Sequence, residues 1–138
     1  MEESGAQEKI DVLIGCFFSA FDNRNGVVPR LGTLMDCFSD KATIAHRSSS
    51  GPAQYTVMEF AAPRIELLTK GELQSFHEWE TSSATQIFDG IASRTSRYRK
   101  LGSLNGKDYS GSGTKCFHLV EFNTGWRISS LAWVDDCA

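Results

Sequence analysis

Apolar positions in the first third of the chain recur at helical spacing. Ile10, Leu13, Ile14, Phe17 and Phe21 follow i, i+3, i+4, i+7 and i+11, the stripe of one helix face. Ser4 and Gln7 have the spacing of a capping box ahead of that stripe, and Asn25-Gly26 predicts its stop. Leu31, Leu34, Met35 and Phe38 form a second, shorter stripe behind Pro29. Ala42 to His46 is too short for a helix and reads as a strand, and Ser48 to Pro52 is polar and loop-like. Thr56 and Glu59 make another capping box. The helix they open meets Pro63, which removes a backbone donor and predicts a kink or restart, then runs to Lys70 with Gly71 as its stop.

From Gln74 onward the period changes to that of strands. Gln74 to Phe88 and Ile91 to Lys100 flank Asp89-Gly90, a pair suited to a two-residue hairpin turn. Asn105-Gly106 is a second turn signal, and Lys115 to Phe122 and Arg127 to Val134 flank Asn123-Thr124-Gly125. Helices first and an antiparallel meander afterwards predict one α+β domain over residues 1–138, with the helices on one face of the sheet.

Counting outward from Asp89-Gly90 pairs Phe88 with Ile91, Thr85 with Arg94, Ser83 with Ser96, Thr81 with Tyr98 and Glu80 with Arg99. Side chains alternate, so one face would carry His77, Trp79, Thr81, Ile87, Ala92, Arg94, Ser96 and Tyr98. The other would carry Glu78, Glu80, Thr95, Arg97 and Arg99, with opposite charges across the strands. The first set mixes aromatic area with polar tips, as a ligand pocket does, and an ordinary amphipathic sheet surface accounts for it as well.

Composition narrows the function classes. The chain has 138 residues, 41% of them hydrophobic and 22% charged, a net charge of −3 and a pI near 5.6. No basic block suits nucleic acid, and no apolar run spans a bilayer. The acidic start Met1-Glu2-Glu3 is unlike a signal peptide, so a cytoplasmic protein is expected. The four cysteines have no metal-ligand rhythm. Cys16, Cys37 and Cys116 lie in apolar segments and read as small core residues, and Cys137 as an exposed thiol. The three histidines share no HxH spacing, and there is neither a phosphate-cradling glycine loop nor a GxSxG elbow. No metal and no cofactor are expected.

The order of elements is similar to that of the nuclear transport factor two superfamily. Phe38-Ser39-Asp40-Lys41-Ala42-Thr43-Ile44 resembles the junction of second helix and first strand in its enzymes, ketosteroid isomerases among them. Gly125-Trp126-Arg127-Ile128-Ser129-Ser130-Leu131-Ala132-Trp133 resembles its last strand, and Phe76, Glu78-Trp79-Glu80, Arg94 and Arg97-Tyr98 resemble a bacterial branch of it. The resemblance covers nearly the whole chain and implies a cone of three helices packed on a curved antiparallel sheet, with a central pocket. The superfamily includes isomerases, dehydratases such as scytalone dehydratase, polyketide cyclases and non-catalytic binding domains, so fold alone does not choose an activity.

By that resemblance His46 stands where ketosteroid isomerases place the general base, and His118 where their oxyanion-hole acid stands. The position of their first-helix tyrosine falls near Phe17 or Phe18, neither of which can donate a hydrogen bond, so steroid isomerisation is disfavoured. Two imidazoles can instead share acid–base work near neutral pH, and each also has a plainer reading as a wall residue with one satisfied hydrogen bond. The expected pocket is lined by Phe17, Phe21, Met35 and Phe60 from the helices and by Trp79, Tyr98 and Trp133 from the sheet. His46, His118 and Arg94 are its polar groups. A strict two-residue turn at Asn105-Gly106 pairs Ser93 with His118, which puts His118 on the face opposite Arg94; a bulge at Gly111 or Gly113 is expected to bring it inside. Glu78 and Glu80 fall on the face opposite Arg94, so Arg94 is expected to lack a carboxylate partner and to meet an acidic ligand. The overall expectation is a small-molecule pocket with acid–base lyase or isomerase chemistry, or a binding or dimerisation module without catalysis. A homodimer through the open face of the sheet, with Arg97, Ile128, Ser130 and Ala132 on that face, is expected in either case.

Overall fold

The computed structural model describes residues 2–136, and their side chains from residue 5 onward. Helix α1 (Glu2–Ser19) starts upstream of Ser4, which therefore lies within its first turn; the Ser4 side chain, like Cys137, falls outside the described part. The stripe Ile10, Ile14, Phe17 and Phe21 is buried as its period demands. The helix ends at Ser19, well before Asn25-Gly26. Those two residues, both at positive φ, close a separate 3₁₀ turn at Arg24–Gly26. Between them Asn23 ties three elements together. Its Nδ2 donates to the carbonyls of Leu68 (2.9 Å) and Leu73 (2.7 Å), and its Oδ1 accepts from the Phe76 amide (2.8 Å).

Helix α2 is a single turn over Leu31–Met35, and Phe38 opens strand β1 (Phe38–Ser48) rather than closing that helix. The segment expected as a loop folds back as strand β2 (Gly51–Tyr55), and Pro52 is tolerated because β2 lies at the edge of the sheet. Helix α3 (Val57–Thr69) carries the reciprocal capping box: Glu59 N donates to Thr56 Oγ1 (3.2 Å), and Thr56 N donates to Glu59 Oε1 (2.8 Å). Pro63 neither ends nor divides α3, and Gly71 at φ +87 follows its end.

Four long strands follow: β3 (Leu73–Phe88), β4 (Ile91–Leu104), β5 (Lys107–Phe122) and β6 (Gly125–Asp135). The sheet order is β2-β1-β6-β5-β4-β3, antiparallel throughout except that β6 runs parallel to β1. The helices cover one face of this open, curved sheet. Phe17 is fully buried at the centre, with the rings of Phe18, Phe21 and Phe117 edge-on at 5.3 Å and that of Phe38 at 6.0 Å.

Two bulges decide which side chains face that core. Pairing of β3 with β4 follows the counted register from Phe88↔Ile91 to Ser82↔Arg97, skips Thr81, and resumes at Glu80↔Tyr98, Trp79↔Arg99 and Glu78↔Lys100. From Glu80 back to His77 the β3 side chains thereby change face, and a second shift between Gln74 and His77 restores the counted parity at Leu73 and Gln74. Glu78 and Glu80 turn inward, while Trp79 turns outward and stacks on His77 at 4.4 Å. On β6 the register shifts at Ser129, between His118↔Ser130 and Leu119↔Ile128, so Ile128 is buried in the core instead of lying on the outer face. No bulge interrupts β4 and β5, so His118 stays opposite Ser93, exposed on the outer face. Of the three cysteines read as core residues, only Cys37 is buried; Cys16 and Cys116 are exposed.

Candidate functional site

A cavity of about 320 Å³ opens between α3, the end of α1 and the inner face of the sheet. Phe21, Phe60, Leu67, Leu68, Leu73 and Phe76 form its apolar wall. The polar wall is supplied by His46, Arg64, Glu78, Lys100, Tyr109, Lys115 and Asp135, with Trp133 between them.

Asp135 is the hub of the polar wall, as the last inward residue of β6. It accepts from the Tyr98 hydroxyl, lies 3.2 Å from His46 Nε2 and 3.5 Å from Lys100 Nζ. Tyr98 on β4 and Asp135 on β6 flank Gly113 on β5, and the hydroxyl crosses above that glycine, where a Cβ would overlap it. Lys100 likewise lies over Gly111, its partner in register. These two glycines therefore do not serve the expected bulge; they let two long side chains cross β5. Burial alone would raise the Asp135 carboxyl, but the Tyr98 hydrogen bond and the Lys100 and His46 charges hold it below the ordinary carboxylate range. Burial and the bond to Asp135 push the Tyr98 phenol upward.

His46, inward on β1, stacks on its cross-strand neighbour Trp133 at 4.2 Å, with 8° between the ring planes. Burial lowers its proton affinity, and the attraction of Asp135 does not make up the loss, so the imidazole is neutral near pH 7. Among the described residues its Nδ1 makes no hydrogen bond.

Lys115, inward on β5, is buried with Nζ 3.2 Å from Glu78 Oε2 and 4.2 Å from the centre of the Tyr98 ring. Burial lowers its proton affinity, against the pull of Glu78. Lys100 shifts the other way: burial opposes the charge, but Tyr109 and Asp135 outweigh it. Arg64, from α3, lies with Cζ 4.3 Å from the centre of the Phe60 ring and 5.3 Å from that of Trp133. Its Nη1 donates to the Phe60 carbonyl at 2.9 Å.

Of the residues expected at the pocket, His46, Phe21, Phe60 and Trp133 line this cavity. Phe17 and Tyr98 are buried behind its wall, and Met35 packs half-buried against the core elsewhere. His118 faces the other side of the sheet, its Nδ1 3.1 Å from Ser130 Oγ, so the two imidazoles do not converge. Trp79 is on that outer face too. Arg94 is buried as expected, but it is not free. Its Nε and Nη2 clamp Glu80 at 3.0 and 2.6 Å, and its Nη1 reaches Asp11 of α1 at 2.6 Å and Thr85 at 3.2 Å. Ser96 adds a 2.5 Å bond to Glu80. The bulge at Thr81 is what turns Glu80 toward this cluster.

The cavity's charged residues other than His46 were missed from sequence. For Lys115 a signal existed: the strict Asn105-Gly106 count pairs it with Ser96, on the same face as Arg94 and Tyr98. Asp135 shares the parity of Trp133 and Leu131. Glu78 had no such signal, because its face depends on the bulge.

No family model and no curated protein matches this chain. Solved structures do. A Kribbella flavida protein superposes with a TM-score of 0.79 at 17% identity, covering 98% of this chain and 93% of that one. A nuclear transport factor 2-like superfamily protein of Salmonella enterica superposes at 0.78 with 14% identity over 99% and 94% of the two chains. The chain has the nuclear transport factor two-like fold. Within that fold, the hexachlorocyclohexane dehydrochlorinase LinA-type3 of Novosphingobium barchaimii superposes at 0.73 with 13% identity, covering 98% of this chain and 89% of its own. The cone of the nuclear transport factor two-like fold accounts for the cavity's place between α3 and the sheet, and its charged lining belongs to this chain's own residues.

Proposed function

We propose that the cavity binds a small, largely apolar molecule and that His46, held by Asp135, is its acid–base group in a lyase- or isomerase-type reaction without a cofactor. The observation that carries this reading is the imidazole on the cavity wall, Nε2 toward Asp135 and flat against Trp133, and burial favours its neutral form. With Nε2–H donating to the Asp135 carboxylate, the Nδ1 lone pair is the base. It takes a proton from a substrate carbon, and Asp135 stabilises the imidazolium that forms. Lys100 and Tyr98 keep that carboxylate ionised and in place. The dehydrochlorinase among the structural neighbours is in keeping with lyase chemistry.

The test is proton exchange, followed by NMR in deuterium oxide, at the acidic C–H of a panel of small ketones and halogenated hydrocarbons. Exchange or elimination should occur with the wild type and fall by about 100-fold or more in His46→Gln. Compounds that bind without exchanging or eliminating would instead establish a binding module. The reading includes a homodimer through the outer sheet face, where Cys116, His118, Ala132 and Val134 are exposed. A monomer mass by light scattering at micromolar concentration overturns that part.

A further inference from the structure

The cations of the cavity are unequally matched. Lys115 stands against Glu78, and Lys100 against Asp135. Arg64 has no carboxylate within ion-pair distance among the described residues, although Glu78 and Asp135 both act on it from farther away. One of its N–H donors is satisfied, by the Phe60 carbonyl; the others find no acceptor among the described residues. Rings pack against the half-buried guanidinium, Phe60 at 4.3 Å, Trp133 at 5.3 Å and Tyr55 at 5.9 Å, while its unbonded donors keep contact with solvent. Arg64 is held at the cavity wall, from the turn of α3 that follows Pro63. An anion in the cavity would give its open donors a stronger acceptor than water.

We infer that the cavity takes an anion, a small aryl carboxylate whose carboxylate docks on Arg64 and whose ring lies among Phe60, Phe76, Tyr109 and Trp133. The inference rests on the reading of the cavity as a ligand site and names the ligand class. A planar carboxylate matches the guanidinium fork and can accept two parallel bonds from it. The ring of the ligand replaces water against the aromatic wall, and a cavity of about 320 Å³ suits a molecule of one or two rings. Glu78 and Asp135 do not repel such a ligand strongly, because each already faces a lysine. His46 then sits beside a bound acid whose charge is fixed at one end, leaving the other end of the ligand for proton transfer.

The experiment compares benzoate, phenylacetate and 2-naphthoate with their uncharged carboxamides. Affinity is read by calorimetry, and the site by the shift of the His46 ring signals in NMR. The carboxylates should bind, shift His46, and exceed their amides by at least about tenfold, the value of one charge-assisted contact. Arg64→Met should lose that margin for carboxylates and leave the amides unchanged, while Arg64→Lys, which keeps the charge without the fork, should retain part of it. Carboxylates and amides binding equally well to the wild type would overturn the anion and leave the cavity reading standing. A carboxylate preference that survives intact in Arg64→Met would overturn the assignment to Arg64. If neither series binds, the ligand-site reading falls and the inference with it. Circular dichroism of Arg64→Met checks its fold, and Arg64→Lys decides the case if that variant does not fold.

Discussion

Two ionic clusters are buried on the inner face of the same strands, and they differ in how completely they are matched. Arg94 is held by Glu80 on two donors and by Asp11 on a third, with Thr85 and Ser96 completing the set. Although burial opposes its charge, these hydrogen bonds raise its proton affinity. Around the cavity, Lys100, Lys115, His46, Glu78 and Asp135 answer one another, but Arg64 is left over and open space lies between them. The first cluster fastens α1 to β3 and β4. In the second, the proposed ligand would supply the acceptor that Arg64 lacks. A buried arginine is thus no sign of a site; an arginine whose donors outnumber its acceptors, beside a cavity, is.

The change that breaks both clusters at once should have the largest effect. Glu78→Ala combined with Glu80→Ala leaves the buried Lys115 and Arg94 without these partners at once. The expected outcome is loss of cooperative thermal unfolding, read by near-ultraviolet circular dichroism. Arg94→Met, which strands Glu80, should cost about 3 kcal/mol in urea denaturation. Arg64→Met should stay within about 1 kcal/mol of the wild type in the same assay, since it removes a charge that no carboxylate among the described residues pairs with directly. A large loss there would make the two arginines alike and end the contrast. The smallest effect concerns pH. His46 has a folded-state proton affinity below its ordinary value of 6.5, so the unfolded chain binds the proton more tightly. Its contribution to stability is complete above pH 6.5 and is lost as the pH falls below that value toward its folded-state pKa. His46→Gln should flatten that part of the stability profile.

How much of this could be read from the chain depends on whether a feature is local. The α1 stripe, the Thr56–Glu59 box and the Asp89-Gly90 and Asn105-Gly106 turns are set by residues near one another, and they stand as expected. Strand β2 was hidden because Ser49 and Ser50 look like loop while the pairing that makes Gly51–Tyr55 a strand comes from β1. The cavity was half legible. Phe21 and Phe60 follow from the helical stripes, Trp133 from its parity with Leu131 and His46 from the superfamily likeness, but the side of Glu78, Trp79 and Ile128 rests on single extra residues at Thr81 and Ser129 that have no composition signature. His118 was the opposite case: the plain count of the hairpin gave its side, and the superfamily likeness argued it away.

Gly113 has no functional group, yet the Tyr98 hydroxyl reaches Asp135 only by passing over it. A single methyl at that position would overlap both the phenol and the backbone carbonyl of Val134, so the side chain and the neighbouring strand β6 would both have to move. The bare backbone there is what allows phenol, strand and carboxylate to lie in one row. It is also a signature that no linear motif expresses: tyrosine, glycine and aspartate side by side on three neighbouring strands, far apart in the chain and legible only as a row.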